Sequence, residues 1–489
     1  MHSCTWSEWA AGSDRVNRIF NPFAINRRAF LGDYCGGIGA LALAHVLQNE
    51  SPASSGQRRD PLASTAPHRA DQAKSVICLF QHGGPSQMDL FDPKPQLSRH
   101  NGEAYPGKVE VHFAHASTNL LASPFKFHKR GQCGMELSEL LPHTAAVADD
   151  LTLVRSMTTT SVDHESALRL IHTGSFLAGK PSLGSWVVYG LGSMREELPA
   201  YVVLGDPGGL PVDGTKNWSA GYLPAVYQGT PFRPSGSPVL HLQTPPEIVP
   251  EARQRQLEFL RTLNAEHLRR NPANSELEAR ITNYELAAKM QSAVPEALDV
   301  SQESKETQSL YGLDQPATED YGRRCLVARR LVERGVRFVQ VFLSGQPWDT
   351  HSNNAKTLSG LCAKTDQPSA ALVRDLKRRG LLDSTIVLWT GEFGRQPVSQ
   401  GNDGRDHNRR AFSLWLAGGG FKRGYVHGAT DDFGYESVRE VVRVHDLHAT
   451  LLQSLGLDHD RLTYPHDGRD DSLTDSAVTN AEVVDALLA

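Results

Sequence analysis

Ser75-Val76-Ile77-Cys78-Leu79-Phe80, running straight into Gln81-His82-Gly83-Gly84-Pro85, is the stretch on which the fold turns. A short run that is apolar on both of its alternating faces suits a central parallel strand covered by helices on each side. The glycines and the proline then end it. The same signature recurs downstream. From Thr318 to Arg334 the spacing of Tyr321, Cys325, Ala328 and Val332 predicts a helix with arginines on its other face, stopped by Gly335. Val336 to Leu343 (VRFVQVFL) follows as a strand. Another helix, carrying Leu372, Val373 and Leu376, ends near Gly380, and Thr385 to Trp389 is the next strand. Ala411 to Ala417 (AFSLWLA) reads as a further strand, and Asp446 to Leu455 as a helix. Strand and helix in alternation predict an α/β domain with a central, mostly parallel sheet and helices on both faces. Between about residues 248 and 310 the chain turns charged and strand-poor, which predicts two long surface helices, a cap over one end of the sheet.

Composition narrows the function. The 489 residues carry 50 Lys and Arg against 55 Asp and Glu, a net charge of -5, without the basic excess expected of a nucleic-acid binder. At 39% hydrophobic and 21% charged, the chain is ordinary globular protein, which excludes a wholly disordered or collagen-like one. The 6 cysteines are scattered, forming neither a disulfide framework nor a paired Cys-x-x-Cys metal site. No apolar run reaches the roughly 18 residues that a membrane-crossing helix needs.

Residues 1–47 read as a leader. Arg15, Arg18, Arg27 and Arg28 outnumber Glu8 and Asp14, and an apolar stretch from Gly36 to Leu47 follows. The pair Arg27-Arg28 directly before Ala29-Phe30-Leu31 resembles a twin-arginine signal, which implies export to the periplasm or cell envelope. No clean cleavage site is visible, so any membrane association would run through an uncleaved leader. Residues 48–74, with Pro52, Pro61 and Pro67, read as a disordered linker; residues 75–475 as the domain; and residues 476–489 as a C-terminal tail.

In open parallel sheets, ligands bind beyond the carboxyl ends of the strands. His82 to Asp89 follow the first strand, Ser344 to His351 the next, and Thr390 to Arg395 the one after; Gly404 to Asn408 stand ahead of AFSLWLA. Each segment brings carboxylate or imidazole to one rim, the donor set of a divalent metal. Zinc is the first expectation, with calcium, magnesium or manganese as the others. Its chemistry would be Lewis-acid polarisation of a phosphoryl or sulfuryl oxygen.

GGPSQMDLFDPKP (Gly83–Pro95), WDTH (Trp348–His351), TGEFGR (Thr390–Arg395), GRDHN (Gly404–Asn408), LAGGG (Leu416–Gly420) and HGATDDFG (His427–Gly434) occur together and in order. Jointly they resemble a large bacterial family catalogued as a domain of unknown function, numbered fifteen-hundred-and-one, over about residues 27–470. The family's members often carry twin-arginine leaders and are abundant in planctomycetes. Its placement in the alkaline phosphatase and sulfatase superfamily implies a three-layer α/β sandwich and a metal-dependent hydrolytic ancestry. The resemblance implies that Asp349 and His351 correspond to an Asp-x-x-x-His metal pair, shortened by two residues. Glu392 stands where relatives have Asp-His, and His407, with Asp406 beside it, resembles the late metal-binding histidine. Asp89 matches the first-strand aspartate, farther past its strand than in sulfatases.

The superfamily nucleophile falls on His164, at the start of a helix ending in Thr173-Gly174. His164 could be a third ligand, a general base or an attacking imidazole, with Thr160, Ser161 and Ser166 as nearby hydroxyls. There is no Cys-x-Pro-x-Arg formylglycine signal; Cys325-Leu326-Val327-Ala328-Arg329 fails at its third place. Arg395 could steady a substrate anion or form a structural salt bridge. Two functions follow as expectations. The first is an exported hydrolase of phosphate or sulfate esters on a small-molecule or polysaccharide substrate. The second is a catalytically degenerate binding or scaffold protein of the cell envelope.

Overall fold

The computed structural model describes residues 60–489 apart from 113–115, 235, 237, 240–241, 243–247 and 272–274. The leader and the first part of the linker lie outside the described residues. Strands are numbered along the chain: β1 Ser75–Phe80, β2 Ala116–Leu120, β3 Leu151–Thr158, β4 Tyr201–Leu204, β5 Thr230–Phe232, β6 Phe338–Val341, β7 Thr385–Thr390, β8 Gly394–Gln400, β9 Gly404–Asn408, β10 Phe412–Ala417, β11 Tyr425–His427 and β12 Val442–Arg443. The helices that matter are α1 His164–Thr173, α2 Leu183–Leu191, α3 Pro250–Arg270, α4 Ser275–Leu298, α5 Glu319–Glu333, α6 Asn354–Arg378 and α7 Val444–Ser454.

The main sheet has 9 strands in the order β11-β3-β10-β7-β1-β6-β4-β5, with β12 paired to β3. β1 sits at its middle, parallel to β7 and β6, and all 6 of its residues are buried. Its alternation divides the core. Ile77 and Leu79 face a cluster built with Tyr321, Cys325, Leu326 and Leu331 of α5 and Leu372 and Leu376 of α6. Val76, Cys78 and Phe80 face Ile171 of α1, Trp186 of α2 and Leu447 and Leu451 of α7. This is the α/β architecture expected from the sequence, a mostly parallel sheet with helices on both faces.

One strand departs from the parallel alternation. β10 runs antiparallel to both neighbours, β7 and β3. No helix separates it from β7; the chain instead makes a small antiparallel sheet, β9-β8-β2, and returns in the reverse direction. TGEFGR is therefore partly strand and GRDHN wholly so: Arg395 lies in β8, and His407 lies opposite it in β9.

The charged insertion forms α3 and α4. α3 leaves Phe259 63% exposed, whereas α4 buries Met290, Val294 and Ala297 against the α5 side of the core. Residues 60–74, the last part of the stretch read as linker, are bonded onto the domain: Arg69 N donates to Gly456 O, and Ala73 N to Ser454 O. The C-terminal residues also return to it, with Leu487 fully buried and Ala489 N donating to Gly420 O. Among the described residues no helix is long and apolar enough to cross a membrane.

Candidate metal centre at the sheet rim

Beyond the carboxyl ends of β1, β6 and β7 the chain packs closely enough to exclude side chains at one point. Gly83 adopts φ +110, and a Cβ there would lie 2.4 Å from Asp349 N, so the loop after β6 can rest on the loop after β1 only at glycine. Trp348 N donates to His82 O, which ties the same two loops together. Asp349 thereby reaches the centre of the rim.

Three imidazoles turn toward its carboxylate. His164 comes from the first residue of α1, whose N-cap Asp163 accepts from Ser166 N. His351 follows Asp349 by two residues, and His407 comes from β9. Nε2 of His351 and of His407 lie 3.0 and 3.1 Å from Asp349 Oδ1, and Nε2 of His164 lies 3.4 Å from Oδ2. Their Nδ1 atoms point away, each to an acceptor: His164 to Glu392 Oε1 at 2.7 Å, His407 to Val162 O at 2.6 Å, and His351 to Gln400 Oε1. A neutral imidazole that donates through Nδ1 carries its lone pair on Nε2. A cation at this point would meet those lone pairs; without one, Nε2 of His351 and of His164 can instead carry a proton toward the Asp349 carboxylate. Two imidazole nitrogens and one carboxylate oxygen, from His164, His407 and Asp349, are zinc-type donors. His164, Asp349 and His407 offer ligand atoms all within 4.8 Å of one another.

The titration of these groups follows from the same contacts. Burial alone would raise the Asp349 carboxyl, but the three imidazoles and the Arg395 guanidinium hold it far below the carboxylate range. Burial lowers His407 to about 4, helped by repulsion from Arg395 and His164. For His164 burial is overcome by Asp349 and Glu392, which raise it to about 9. His351 is raised chiefly by its bond to Asp349.

Several expected roles change. Glu392 is fully buried, and its Oε1 accepts from Gly83 N at 2.8 Å as well as from His164. It orients His164, in the carboxylate–histidine arrangement common around metals. Its Oε2 has no hydrogen-bond partner. Asp89 is not at the cluster: its carboxylate is bound by Arg405 Nε at 2.8 Å, Ser86 Oγ at 2.6 Å and Asn354 Nδ2 at 3.0 Å. Asp406 is also diverted, accepting from His407 N at 2.7 Å and His112 N at 3.1 Å. Arg395 is fully buried and fully engaged, by Gly84 O and Arg405 O at 3.0 Å, by Gly83 O, and by Asp349 Oδ1 at 2.5 Å. It positions Asp349 and is closed to a substrate anion. Ser161 and Ser166 hydroxyls are taken up around Asp163. Gln400 and the Val162 carbonyl were missed from sequence, because nothing in a glutamine or a backbone oxygen marks it as an imidazole's partner.

Glu392→Gln tests this orientation. The amide can still accept from His164 but supplies no charge, so metal affinity should fall about 10- to 100-fold with the fold intact. Titration against a chromophoric chelator reads this directly; an unchanged affinity would make Glu392 a packing residue.

No curated protein sequence matches the chain. Among solved structures, a sulfatase from Pseudoalteromonas sp. overlaps with a TM-score of 0.34 at 14% identity, covering 85% of this chain and 72% of that one. A phosphonate monoester hydrolase from Silicibacter pomeroyi gives 0.34 at 12% identity, covering 85% and 78%. A lipoteichoic acid synthase from Listeria monocytogenes gives 0.33 at 9% identity, covering 82% and 77%. The sequence itself matches the family described as Protein of unknown function (DUF1501) over residues 73–488, a span that contains the whole sheet and every rim residue named above, and the chain belongs to that family.

Proposed function

We propose that this chain is an exported, metal-dependent hydrolase of phosphate or sulfate esters, of the alkaline phosphatase and sulfatase type, working without formylglycine. The observation that carries the reading is the convergence of the His164, His351 and His407 Nε2 atoms on Asp349. His164, Asp349 and His407 would hold the metal, with His351 against the same carboxylate and Glu392, Gln400 and the Val162 carbonyl fixing the imidazoles. A divalent metal bound there would supply Lewis-acid polarisation of the ester's phosphoryl or sulfuryl oxygen. Arg395 keeps Asp349 ionised and in place. The partly exposed edges of His351 and Asp349, 29% and 13% accessible at the side chain, form the entry for an ester group. Export rests on the Arg27-Arg28 leader and would be read by cell fractionation.

The scaffold reading has one observation in its favour. Asp349 already pairs with Arg395, so the network can close on itself as a polar core. Elemental analysis separates the two. Protein purified without chelator should hold about one equivalent of divalent metal, lose it in His407→Ala, and hydrolyse an aryl phosphate or sulfate only when loaded. A well-folded, metal-free and inert protein would establish the scaffold reading instead.

A further inference from the structure

With Arg395 buried, an anionic substrate needs another cation at the mouth of the cluster. Arg409 and Arg410 follow directly after β9, two and three residues past His407, with side chains 41% and 38% exposed. Arg409 grips the segment that leads into His164: Thr159 N donates to Arg409 O, and Arg409 Nη1 donates to Thr160 O at 3.3 Å. His407 binds Val162 of the same segment. Arg409 thus lies beside the segment that carries Val162, and Arg410 joins it through Glu110.

Both guanidiniums close on a single carboxylate. Arg409 Nε and Nη2 donate to Glu110 at 3.0 and 2.9 Å, and Arg410 Nε and Nη2 at 3.2 and 2.8 Å. Four N–H groups on one oxyanion are the geometry with which arginine pairs receive phosphate, sulfate or carboxylate. Arg410 also meets Glu436 at 3.1 Å, and His112 Nε2 lies 3.6 Å from Glu110. The Glu110 backbone is held independently of its carboxylate: its N–H donates to Tyr435 Oη at 3.0 Å, and its carbonyl accepts from Gln396 Nε2. The carboxylate can therefore leave without releasing the segment. These hydrogen bonds, Arg409's first, hold the Glu110 carboxyl down at about 2, so it is a full anion at neutral pH.

We propose that Arg409 and Arg410 form a subsite for a second anionic group of the substrate, a place the chain's own Glu110 carboxylate fills in this conformation. The substrate class is then an ester that carries another charged group beside the scissile one, as multiply sulfated or phosphorylated glycans do. The word substrate rests on the hydrolase reading above; the anion site does not, and is tested without metal or turnover.

The probe is inorganic sulfate, titrated calorimetrically into the full chain in the presence of chelator. Glu110→Gln should bind it at least about tenfold more tightly than the unsubstituted protein. The gain should vanish in Glu110→Gln/Arg409→Gln. Glu110→Asp, which keeps the charge but shortens its reach, should show a smaller gain and serves if the glutamine variant does not fold. Equal sulfate affinity with and without the Glu110 carboxylate, or a gain that survives loss of Arg409, overturns the proposal. Metal content, measured on the same proteins without chelator, judges the hydrolase reading separately.

Discussion

On the hydrolase reading, Asp349→Asn should lose metal and turnover together, and should also unfold more readily than the parent with the metal removed. The two effects share one cause. Asp349 is the acceptor on which His164, His351, His407 and Arg395 converge. Asparagine has the same shape but one neutral oxygen and an N–H group, which would point at a lone pair or at the metal itself. Loss of an outer residue typically weakens metal binding tenfold to hundredfold, so removal of a charged ligand should cost about a thousandfold or more. The second effect concerns Arg395. Its guanidinium is fully buried, and Asp349 is the carboxylate in contact with it. A buried charge stripped of its partner destabilises by about 3–5 kcal/mol, since desolvation is no longer offset. Thermal unfolding in chelator isolates this term, and elemental analysis the other. A variant that keeps its metal would remove Asp349 from the centre. One that loses metal without loss of apo stability would show that water reaches Arg395.

The parts of this architecture legible in the sequence were those set by burial. β1 and β7 are apolar on both faces because helices cover both, and that pattern needs no partner to be read. β3 was not read because Thr152, Arg155 and Ser156 interrupt it; their polarity is met by tertiary contacts, Thr152 Oγ1 donating to Lys422 O and Ser156 Oγ to Glu440 O. The reversed direction of β10 was hidden for a related reason. A strand's residue pattern does not record its direction, and the missing helix between Trp389 and Ala411 was the available signal. The rim segments followed from chain direction, and of the residues so gathered Asp349, His351, Glu392 and His407 lie around His164, while Asp89 and Asp406 are bound elsewhere. Their division into ligands and supports was not legible. Whether a carboxylate faces a metal, an imidazole or an arginine depends on side-chain partners hundreds of residues away, as between Glu392 and His164 or Asp89 and Arg405.

That last pair carries the sharpest contrast with Asp349. Asp89→Asn should destabilise the fold by about 3–5 kcal/mol and leave metal bound per folded molecule unchanged. Both side chains are fully buried, Nε and Nη2 of Arg405 reaching the two carboxylate oxygens at 2.8 and 3.1 Å. Arg405 also donates to the carbonyls of Gln396 and Leu121, which join the small sheet to the loop after β2. Neutralising Asp89 leaves that guanidinium without its counter-charge. Burial alone would raise the Asp89 carboxyl, but Arg405, Ser86 and Asn354 outweigh it and hold the group below its ordinary value. The pH dependence follows in sign. A depressed carboxylate contributes stability that is complete above its unfolded pKa, about 3.9, and is lost as the medium acidifies through the folded value. The parent and Asp89→Asn should therefore differ most at neutral pH and converge below about pH 4. Urea unfolding in chelator across that range measures the difference. Replacing both partners, Asp89→Leu with Arg405→Met, should recover much of the loss, because two matched apolar groups leave no charge to desolvate. A curve that stays parallel down to low pH would assign the cost to packing. Metal lost from folded Asp89→Asn would return Asp89 to the ligand set.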